Sequence, residues 1–305
     1  MKIGARLLVL ALTCALGSSA RGDDGGVRIV FAGDIMLDGG PGHIVTVGGD
    51  PFANVATVLQ DADLTIGNLE CAIVKDGHAV DKPFTFRGPQ KALPLLKKYF
   101  SAVSLANNHS GDWGKHGFLT ELELLRETKL PWFGGGANAR EAHRPLVLTA
   151  AGKRVAFLGF NDYPPRSFAA SPSTPGTAWL VEKDAVRDIK LAREQADFVV
   201  LFVHWGEDLE PDVTPQQKAM GHALIDAGAD AIIGGHPHLI QDVEWYKERP
   251  IVYSIGNFVF DYFPYDPEVW KAWIVRLTLG KTGRAGLETI EVEMDPAGVP
   301  HLTGK

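Results

Sequence analysis

The stretch DAIIGGHPHLIQ at residues 230–241 joins a short apolar run to a turn that contains two histidines. Residues 230–233 have the composition of a buried strand. Two glycines follow and allow the backbone to approach a ligand closely, and His236 and His238 then flank a proline. Because Gly and Pro also punctuate ordinary turns, this stretch alone leaves open whether the histidines bind a ligand. The remainder of the chain decides the question.

The same order of apolar run and polar turn occurs at four other places. Residues 27–32 lead to Asp34, residues 63–66 to Asn68 and Glu70, residues 102–106 to Asn108 and His109, and residues 198–203 to His204. Helical spacing of apolar residues occurs at residues 89–100, 117–128, 183–195 and 214–226. Strands that alternate with helices predict an α/β sheet built from right-handed crossover units. The carboxyl ends of its parallel strands lie along one edge, so we expect the five turns to face one cleft.

These turns carry the donor atoms of a metal site. They offer carboxylate oxygens, amide oxygens and imidazole nitrogens, which suit a divalent ion such as Mn, Fe or Zn. A closed structural zinc site would call for thiolates instead. Any one of these residues could be a cap, a turn residue or a hydrogen-bonded histidine. Their convergence at one edge favours a site for one or two ions.

The final third of the chain has a different pattern. Residues 240–246, 251–255, 272–279 and 287–294 read as successive strands with little helix between them, and several alternate with period two. This pattern predicts hairpins that complete a second sheet.

The amino-terminal residues resemble a secretory leader. Lys2 and Arg6 precede an apolar run over residues 7–16, and small residues follow up to Ala20. This pattern predicts a signal peptide over residues 1–20 and an exported protein, located in the periplasm or at the cell surface. No later segment has the roughly eighteen uninterrupted apolar residues of a membrane helix. Without the leader only Cys71 remains, which excludes an intramolecular disulfide.

Composition narrows the class of partner. The chain has 305 residues, of which 45% are hydrophobic, so it can bury a substantial core. Its formal net charge is −7, without a block of like charge. Such a surface gives nucleic acid or an anionic membrane little reason to bind.

Six motifs in order resemble the CapA/PgsA family of capsule-synthesis proteins, which is associated with poly-γ-glutamate and related to calcineurin-like metallophosphoesterases. They are GDIML at 33–37, IGNLE at 66–70, LANNHSGDWG at 105–114, HWGEDLE at 204–210, GGHPHLIQ at 234–241 and YSIGNFVFD at 253–261. The resemblance covers about residues 27–262 and implies an α/β, metallophosphoesterase-like four-layer αββα sandwich with one or two divalent ions. Residues 263–305 would then be C-terminal strands that complete the second sheet.

The resemblance also implies a ligand set. Asp34 would bind the first metal, Asn108 and His204 the second, and His236 and His238 one metal each.

Other residues receive roles from the same resemblance. His109 would donate a proton to a leaving group. Asn68 stands where a bridging carboxylate belongs, so Glu70 is the expected substitute ligand. Asn68 is then a candidate substrate-binding residue, as is Asn257, which could reach the cleft or make a turn.

The sequence departs from the phosphoesterase pattern at three positions. Met36 replaces the histidine expected two residues after Asp34, an amide occupies position 68, and Ser110 rather than an acid follows His109. Asp38 is a candidate to rescue the first ion.

Further residues take part in the expected loops around the cleft. Asp112 and Trp113 are expected to order the loop that presents His109. Trp205, Glu207 and Asp208 either line the cleft or form a solvated loop.

These observations support three functions. The first is an exported metal-dependent hydrolase that cleaves an amide or ester bond of an anionic polymer, with poly-γ-glutamate as the leading substrate. The second is a non-catalytic factor for assembly or export of capsule polymer, with partners in the capsule-synthesis machinery. A nucleotidase or other phosphoesterase is the weakest, because Met36 and Asn68 remove expected ligands.

Overall fold

Two β-sheets face each other and are covered by helices on their outer sides in this computed structural model, which describes residues 26–262, 266–280 and 285–303. The predicted leader over residues 1–20 lies outside these ranges. None of the helices within them is long and apolar enough to cross a membrane.

The described strands are, in chain order, β1 (Val27–Ile35), β2 (Leu64–Leu69), β3 (Ala102–Ser104), β4 (Trp132–Phe133), β5 (Gly135–Gly136), β6 (Leu146–Ala150), β7 (Lys153–Asn161), β8 (Gly176–Thr177), β9 (Phe198–His204), β10 (Ala231–Gly235), β11 (Val243–Tyr246), β12 (Arg249–Val252), β13 (Asn257–Val259), β14 (Lys271–Leu279), β15 (Ala285–Met294) and β16 (Pro300–Leu302). The described α-helices are α1 (Gly39–Thr46), α2 (Ala56–Gln60), α3 (Ala92–Tyr99), α4 (Gly114–Thr128), α5 (Ala139–Ala142), α6 (Glu182–Arg193) and α7 (Pro215–Ala227). Short 3₁₀ helices occupy Ala53–Val55, Arg166–Phe168 and Pro267–Trp270.

The first sheet has the order β16-β15-β14-β1-β2-β3-β4, and β13 also pairs with β1. Strands β1 to β4 are parallel, whereas β14 runs antiparallel to β1. The second sheet has the order β11-β12-β10-β9-β7-β6, in which β7, β9, β10 and β12 are parallel. Each sheet therefore has a parallel centre, as the alternation of strands and helices predicts.

Successive side chains of the central strands point to opposite faces of each sheet, so each sheet packs against a different layer on each side. In β1, Ile29 and Phe31 face the second sheet, whereas Val30 and Ala32 face α3 and α4. The Phe31 ring lies 6.4 Å from Phe157 and 6.5 Å from Phe202, which belong to the second sheet. A strand buried on both faces reads as a continuous apolar run, as these strands do.

Three hydrophobic cores therefore separate four layers. One fills the space between the first sheet and α3 and α4, one lies between the sheets, and one lies between the second sheet and α6 and α7. The expected αββα sandwich is confirmed. The four helices expected from apolar spacing are also present, as α3, α4, α6 and α7.

The C-terminal strands differ from the expectation. The sequence pattern predicts that the strands of the final third together complete a second sheet. In the structure these strands are divided between the two sheets. Strands β11 and β12 extend the second sheet, but β14 pairs along β1 from Val27↔Leu279 to Phe31↔Val275 and carries β15 and β16 with it. Alternation of apolar and polar residues indicates a strand with one buried face, but it does not identify the sheet edge with which the strand pairs.

Candidate metal centre

The polar turns after β1, β2, β3, β9 and β10 meet at one edge of the two sheets. Asn68 Nδ2 lies 2.8 Å from Asp34 Oδ1 and 3.2 Å from His204 Nδ1. His204 Nε2 lies 2.7 Å from Asn108 Oδ1, and the His236 backbone N–H donates to Asp34 Oδ2 at 3.2 Å. Residues from both sheets thus contact one another. This is the arrangement expected when the carboxyl ends of parallel strands lie along one edge.

Two overlapping groups of buried side chains in the described part of the chain could hold a metal ion. One consists of Glu70, His236 and His238, and the other of Asp34, Glu70 and His204. Within each group the ligand atoms lie within 4.8 Å of one another. Glu70 belongs to both groups, so its carboxylate can contact two neighbouring ions.

Unpaired polar atoms in these groups fit a cation. Both carboxylate oxygens of Glu70 and both ring nitrogens of His236 have no hydrogen-bond partner among the described residues, although both side chains are fully buried. Each such atom costs about 1–3 kcal/mol of stability. Carboxylate and imidazole donors are ligands that Mn, Fe and Zn accept, so a divalent ion would satisfy these atoms.

The electrostatics of the buried groups agree with this fit. Burial raises the pKa of the Glu70 carboxyl well above its usual value, and the nearby Asp34 charge raises it further. Burial also lowers the pKa values of His204 and His236 well below the usual value for histidine. Both imidazoles are therefore neutral near pH 7, which is the form that binds metal ions.

The backbone around the histidine turn is shaped for close approach. A Cβ atom at Gly235 would lie 2.8 Å from Asp34 Oδ1. His236 and His238 adopt positive φ angles of 98° and 59°, which non-glycine residues rarely do. Backbone strain of this kind concentrates at functional sites, where the surrounding structure maintains it.

His109 lies beside the two groups and has an acidic partner. Its Nδ1 lies 2.8 Å from Asp112 Oδ2, which also accepts the Phe86 backbone N–H at 2.7 Å. Lys82 Nζ forms an ion pair with the other oxygen of Asp112. Burial lowers the pKa of His109, and the bond to Asp112 opposes that shift. The serine at position 110 therefore does not leave His109 without an acid, because Asp112 supplies one from the same turn.

A cavity of about 490 Å³ opens beside His109 and His238. Its walls are largely apolar and include the aromatic side chains of Tyr163, Phe84, Phe86, Phe168 and Phe260. Its charged lining residues among the described part of the chain are Asp81, Lys82 and Asp208.

A family model described as bacterial capsule synthesis protein PGA_cap matches residues 28–262. The chain belongs to the PGA_cap family.

Several relatives of this PGA_cap chain are named for the synthesis of capsule or of a related polymer. It is 32% identical over 246 residues to the capsule biosynthesis protein CapA of Bacillus anthracis, covering 77% of this chain and 60% of the relative. It is 32% identical over 237 residues to the PGA biosynthesis protein CapA of Bacillus subtilis, covering 76% and 62%. A probable polyglutamine synthesis accessory protein of Mycobacterium tuberculosis is 31% identical over 269 residues, covering 83% and 70%. The chain thus spans about three fifths of the length of the two CapA proteins.

Solved structures with a similar fold are far more distant in sequence. The NAD nucleotidase of Haemophilus influenzae has a TM-score of 0.50 at 13% identity. The match covers 92% of this chain and 60% of the nucleotidase chain. A 5'-nucleotidase precursor from Thermus thermophilus has a TM-score of 0.51 at 16% identity, covering 90% and 56%. At such identities the likeness concerns the fold alone, and the fold is the metallophosphoesterase-like one expected.

Asn68 and Asn257, the candidate substrate-binding residues, contact candidate metal ligands of this PGA_cap chain. Asn68 donates to Asp34 and is itself held by Asn107 at 3.1 Å. Asn257 Oδ1 lies 2.8 Å from His238 Nδ1. Both asparagines are fully buried, and neither lines the cavity. These contacts would orient the candidate ligands.

Asp38, the candidate additional ligand of the first ion, contacts backbone groups and belongs to neither candidate group. Asp38 caps α1 through Gly39 N at 2.8 Å, and its other oxygen accepts the Arg87 backbone N–H at 2.9 Å. Met36 is buried in the core between the first sheet and its helices. The candidate group of Asp34, Glu70 and His204 therefore includes no carboxylate from the turn that contains Asp38.

The residues of the HWGEDLE loop at 204–210 differ in burial. Trp205 is buried in the core and donates to the Tyr253 carbonyl at 2.8 Å, so it does not line the cleft. Glu207 is exposed, whereas Asp208 lines the cavity.

Two contributing residues were missed from the sequence. Asn107 Oδ1 accepts the backbone N–H groups of His109 and Ser110, both at 3.0 Å, and its position beside Asn108 in the motif was the available signal. Tyr163 packs against His236 with ring centroids 3.7 Å apart, and no local pattern marked it.

Proposed function

We propose that this PGA_cap chain is an exported, metal-dependent hydrolase that cleaves an amide or ester bond of poly-γ-glutamate or a related anionic polymer during capsule synthesis. The observation that carries the proposal is the pair of overlapping groups in which Glu70 and His236 present unpaired buried donor atoms. The names of the CapA relatives support the class of polymer.

The residues that would hold divalent ions are Asp34, Glu70, Asn108, His204, His236 and His238. When bound, such ions would supply Lewis acidity at the scissile bond and positive charge against the carboxylates of the polymer. The protein itself supplies little positive charge at the cavity, because Lys82 is already paired with Asp112.

We propose that His109 moves the proton. Asp112 holds its Nδ1, which leaves Nε2 as the nitrogen that can reach a leaving group in the cavity. The Asp112 carboxylate stabilises the protonated imidazole and fixes the orientation of the ring. The ring also packs against Phe86, with centroids 4.3 Å apart.

We expect His109→Gln to lower turnover about a hundredfold while leaving metal affinity unchanged, because general acid catalysis typically contributes at least that factor. The measurement is kcat together with metal content. His143→Gln is the matched control, since His143 forms a similar pair with Asp188 at 2.7 Å but does not line the cavity. Equal rates for the two variants would remove the proton-donor role.

The proposed activity is tested with γ-glutamyl oligomers and model phosphoesters. We expect chelator-treated protein to be inactive and protein reloaded with Mn²⁺ to cleave the γ-glutamyl oligomer. If the reloaded protein cleaves neither substrate, the hydrolase proposal fails. Cleavage of the phosphoester alone would instead indicate a phosphoesterase.

One observation favours a second candidate, a non-catalytic factor that holds capsule polymer for assembly or export. The Asn68 amide donates to Asp34 and contacts His204, at the position where the resemblance places a bridging carboxylate. An amide brings no charge with which to bridge two ions. This candidate predicts polymer binding by isothermal titration without cleavage, and a folded protein that fails to bind polymer would contradict it.

A further inference from the structure

Asp208 reaches the candidate metal centre from the solvent side. Its Oδ1 lies 3.5 Å from His236 Nε2 and 3.9 Å from His238 Nε2. The two histidines are buried, whereas the Asp208 side chain is 46% exposed and lines the cavity. Asp208 is therefore the carboxylate between the buried groups and the cleft.

Each of these two distances lies in the range expected for a pair of ligands that share an ion. Two donor atoms that each lie about 2.1 Å from an ion are about 3.0 Å apart at a right angle and about 4.2 Å apart when they are opposed. The separations from Asp208 Oδ1 to both histidines fall within this interval. They are also too long for hydrogen bonds, and the two ring nitrogens of His236 have no such bond among the described residues.

Tyr163 fixes the carboxylate in this orientation. The tyrosine hydroxyl donates to Asp208 Oδ2 at 2.7 Å, which leaves Oδ1 directed toward the histidines. The same tyrosine ring packs against His236. Asn257 holds His238 Nδ1, so Nε2 is the nitrogen of His238 that faces Asp208. Second-sphere contacts of this kind orient metal ligands.

We infer that Asp208 is a further ligand of the divalent cation held by Glu70, His236 and His238, and that Tyr163 positions its carboxylate. The inference rests on the metal site of the proposed function. Asp208 would add a carboxylate to this site on the side next to the cavity.

The test is the binding of Mn²⁺ to chelator-treated protein by isothermal titration. We expect Asp208→Asn to weaken Mn²⁺ binding about 10- to 100-fold, because the amide keeps a hydrogen-bond acceptor for Tyr163 but loses the anionic ligand. Tyr163→Phe should weaken binding several-fold. Glu207→Gln is the matched control, since it removes one negative charge from the adjacent, exposed position and should change affinity less than twofold.

A second readout separates loss of a ligand from loss of charge. The visible absorption spectrum of bound Co²⁺ depends on the number and geometry of its ligands, and we expect it to change in Asp208→Asn but not in Glu207→Gln. If Asp208→Asn binds Mn²⁺ as tightly as Glu207→Gln with an unaltered Co²⁺ spectrum, the inference is overturned while the metal site stands. If the wild-type protein binds neither ion, the metal site itself is overturned and this inference with it.

Discussion

Glu70→Gln should stabilise the metal-free protein and abolish most of the stabilisation that divalent metal confers. The Glu70 carboxylate is fully buried, its oxygens have no hydrogen-bond partner among the described residues, and His204 Nε2 lies 3.4 Å away. Without metal, an ionised carboxylate at this position is costly, and a neutral amide of the same shape avoids that cost. With metal, the same carboxylate is the donor that both groups share.

The sign of the metal-free effect follows from the pKa of Glu70. Burial, followed by the Asp34 charge, raises that pKa in the folded state. A raised carboxyl pKa gives stability that is complete below the unfolded pKa of about 4.3 and is lost as pH rises through the folded pKa. Glutamine does not titrate, so the variant should gain about 1–3 kcal/mol over wild type at pH 8.

Unfolding in urea at pH 8, with and without Mn²⁺, measures both effects. Ligand at a thousand times its Kd stabilises a protein by about 4 kcal/mol, and we expect Glu70→Gln to lose most of that increment. Glu207→Gln should retain it, because Glu207 is exposed on the loop after β9. If Glu70→Gln destabilises the metal-free protein and still responds to Mn²⁺ as wild type does, Glu70 has some other role.

The convergence of the candidate ligands could be predicted because it depends on a local pattern. Asp34, His204 and His236 each lie at or just past the end of an apolar strand, and parallel strands present those ends along one edge. The helix that starts at Pro215 was also predicted, from the spacing of its apolar residues, and Thr214 and Gln217 form a capping box at its start. Local chemistry determines both features.

The remaining features depend on contacts between distant segments. Tyr163 and Asp208 meet because two loops lie side by side, and neither loop has a periodicity that indicates the contact. The pairing of β14 with β1 is a choice of sheet edge, which alternation within β14 does not specify. Asp38 looked like a ligand by its position near Asp34, but the start of α1 turns it away.

Glu121 is another buried carboxyl, located in α4 and outside the candidate metal groups. Its Oε1 accepts the Ile73 backbone N–H at 2.8 Å, whereas its Oε2 has no hydrogen-bond partner among the described residues. Burial raises its pKa to about 8. The folded protein therefore keeps Glu121 protonated near pH 7, while the unfolded chain releases that proton at about pH 4.3.

Glu121→Gln should therefore stabilise the protein by several kcal/mol at pH 9 and change it little at pH 5. The raised pKa means that wild-type stability from this group is complete below the unfolded pKa and is lost as pH rises through about 8. A shift of between three and four pH units corresponds to an upper limit of about 5 kcal/mol. The glutamine carbonyl can still accept the Ile73 N–H, so the hydrogen bond to the backbone remains.

The decisive measurement is the difference in unfolding free energy between Glu121→Gln and wild type, by urea titration of metal-free protein at pH 5 and pH 9. The difference isolates Glu121, because the other titrating groups, Glu70 included, are common to both proteins. Glu123→Gln is the matched control on the same helix, where the side chain is 58% exposed and lies 3.4 Å from Lys75 Nζ. An exposed pair of this kind contributes little, so the control should stay within about 0.5 kcal/mol of wild type at both pH values. A Glu121→Gln variant less stable than wild type at pH 9 would show that the folded protein stabilises the Glu121 carboxylate, although this side chain is buried and has no cationic partner in the described ranges.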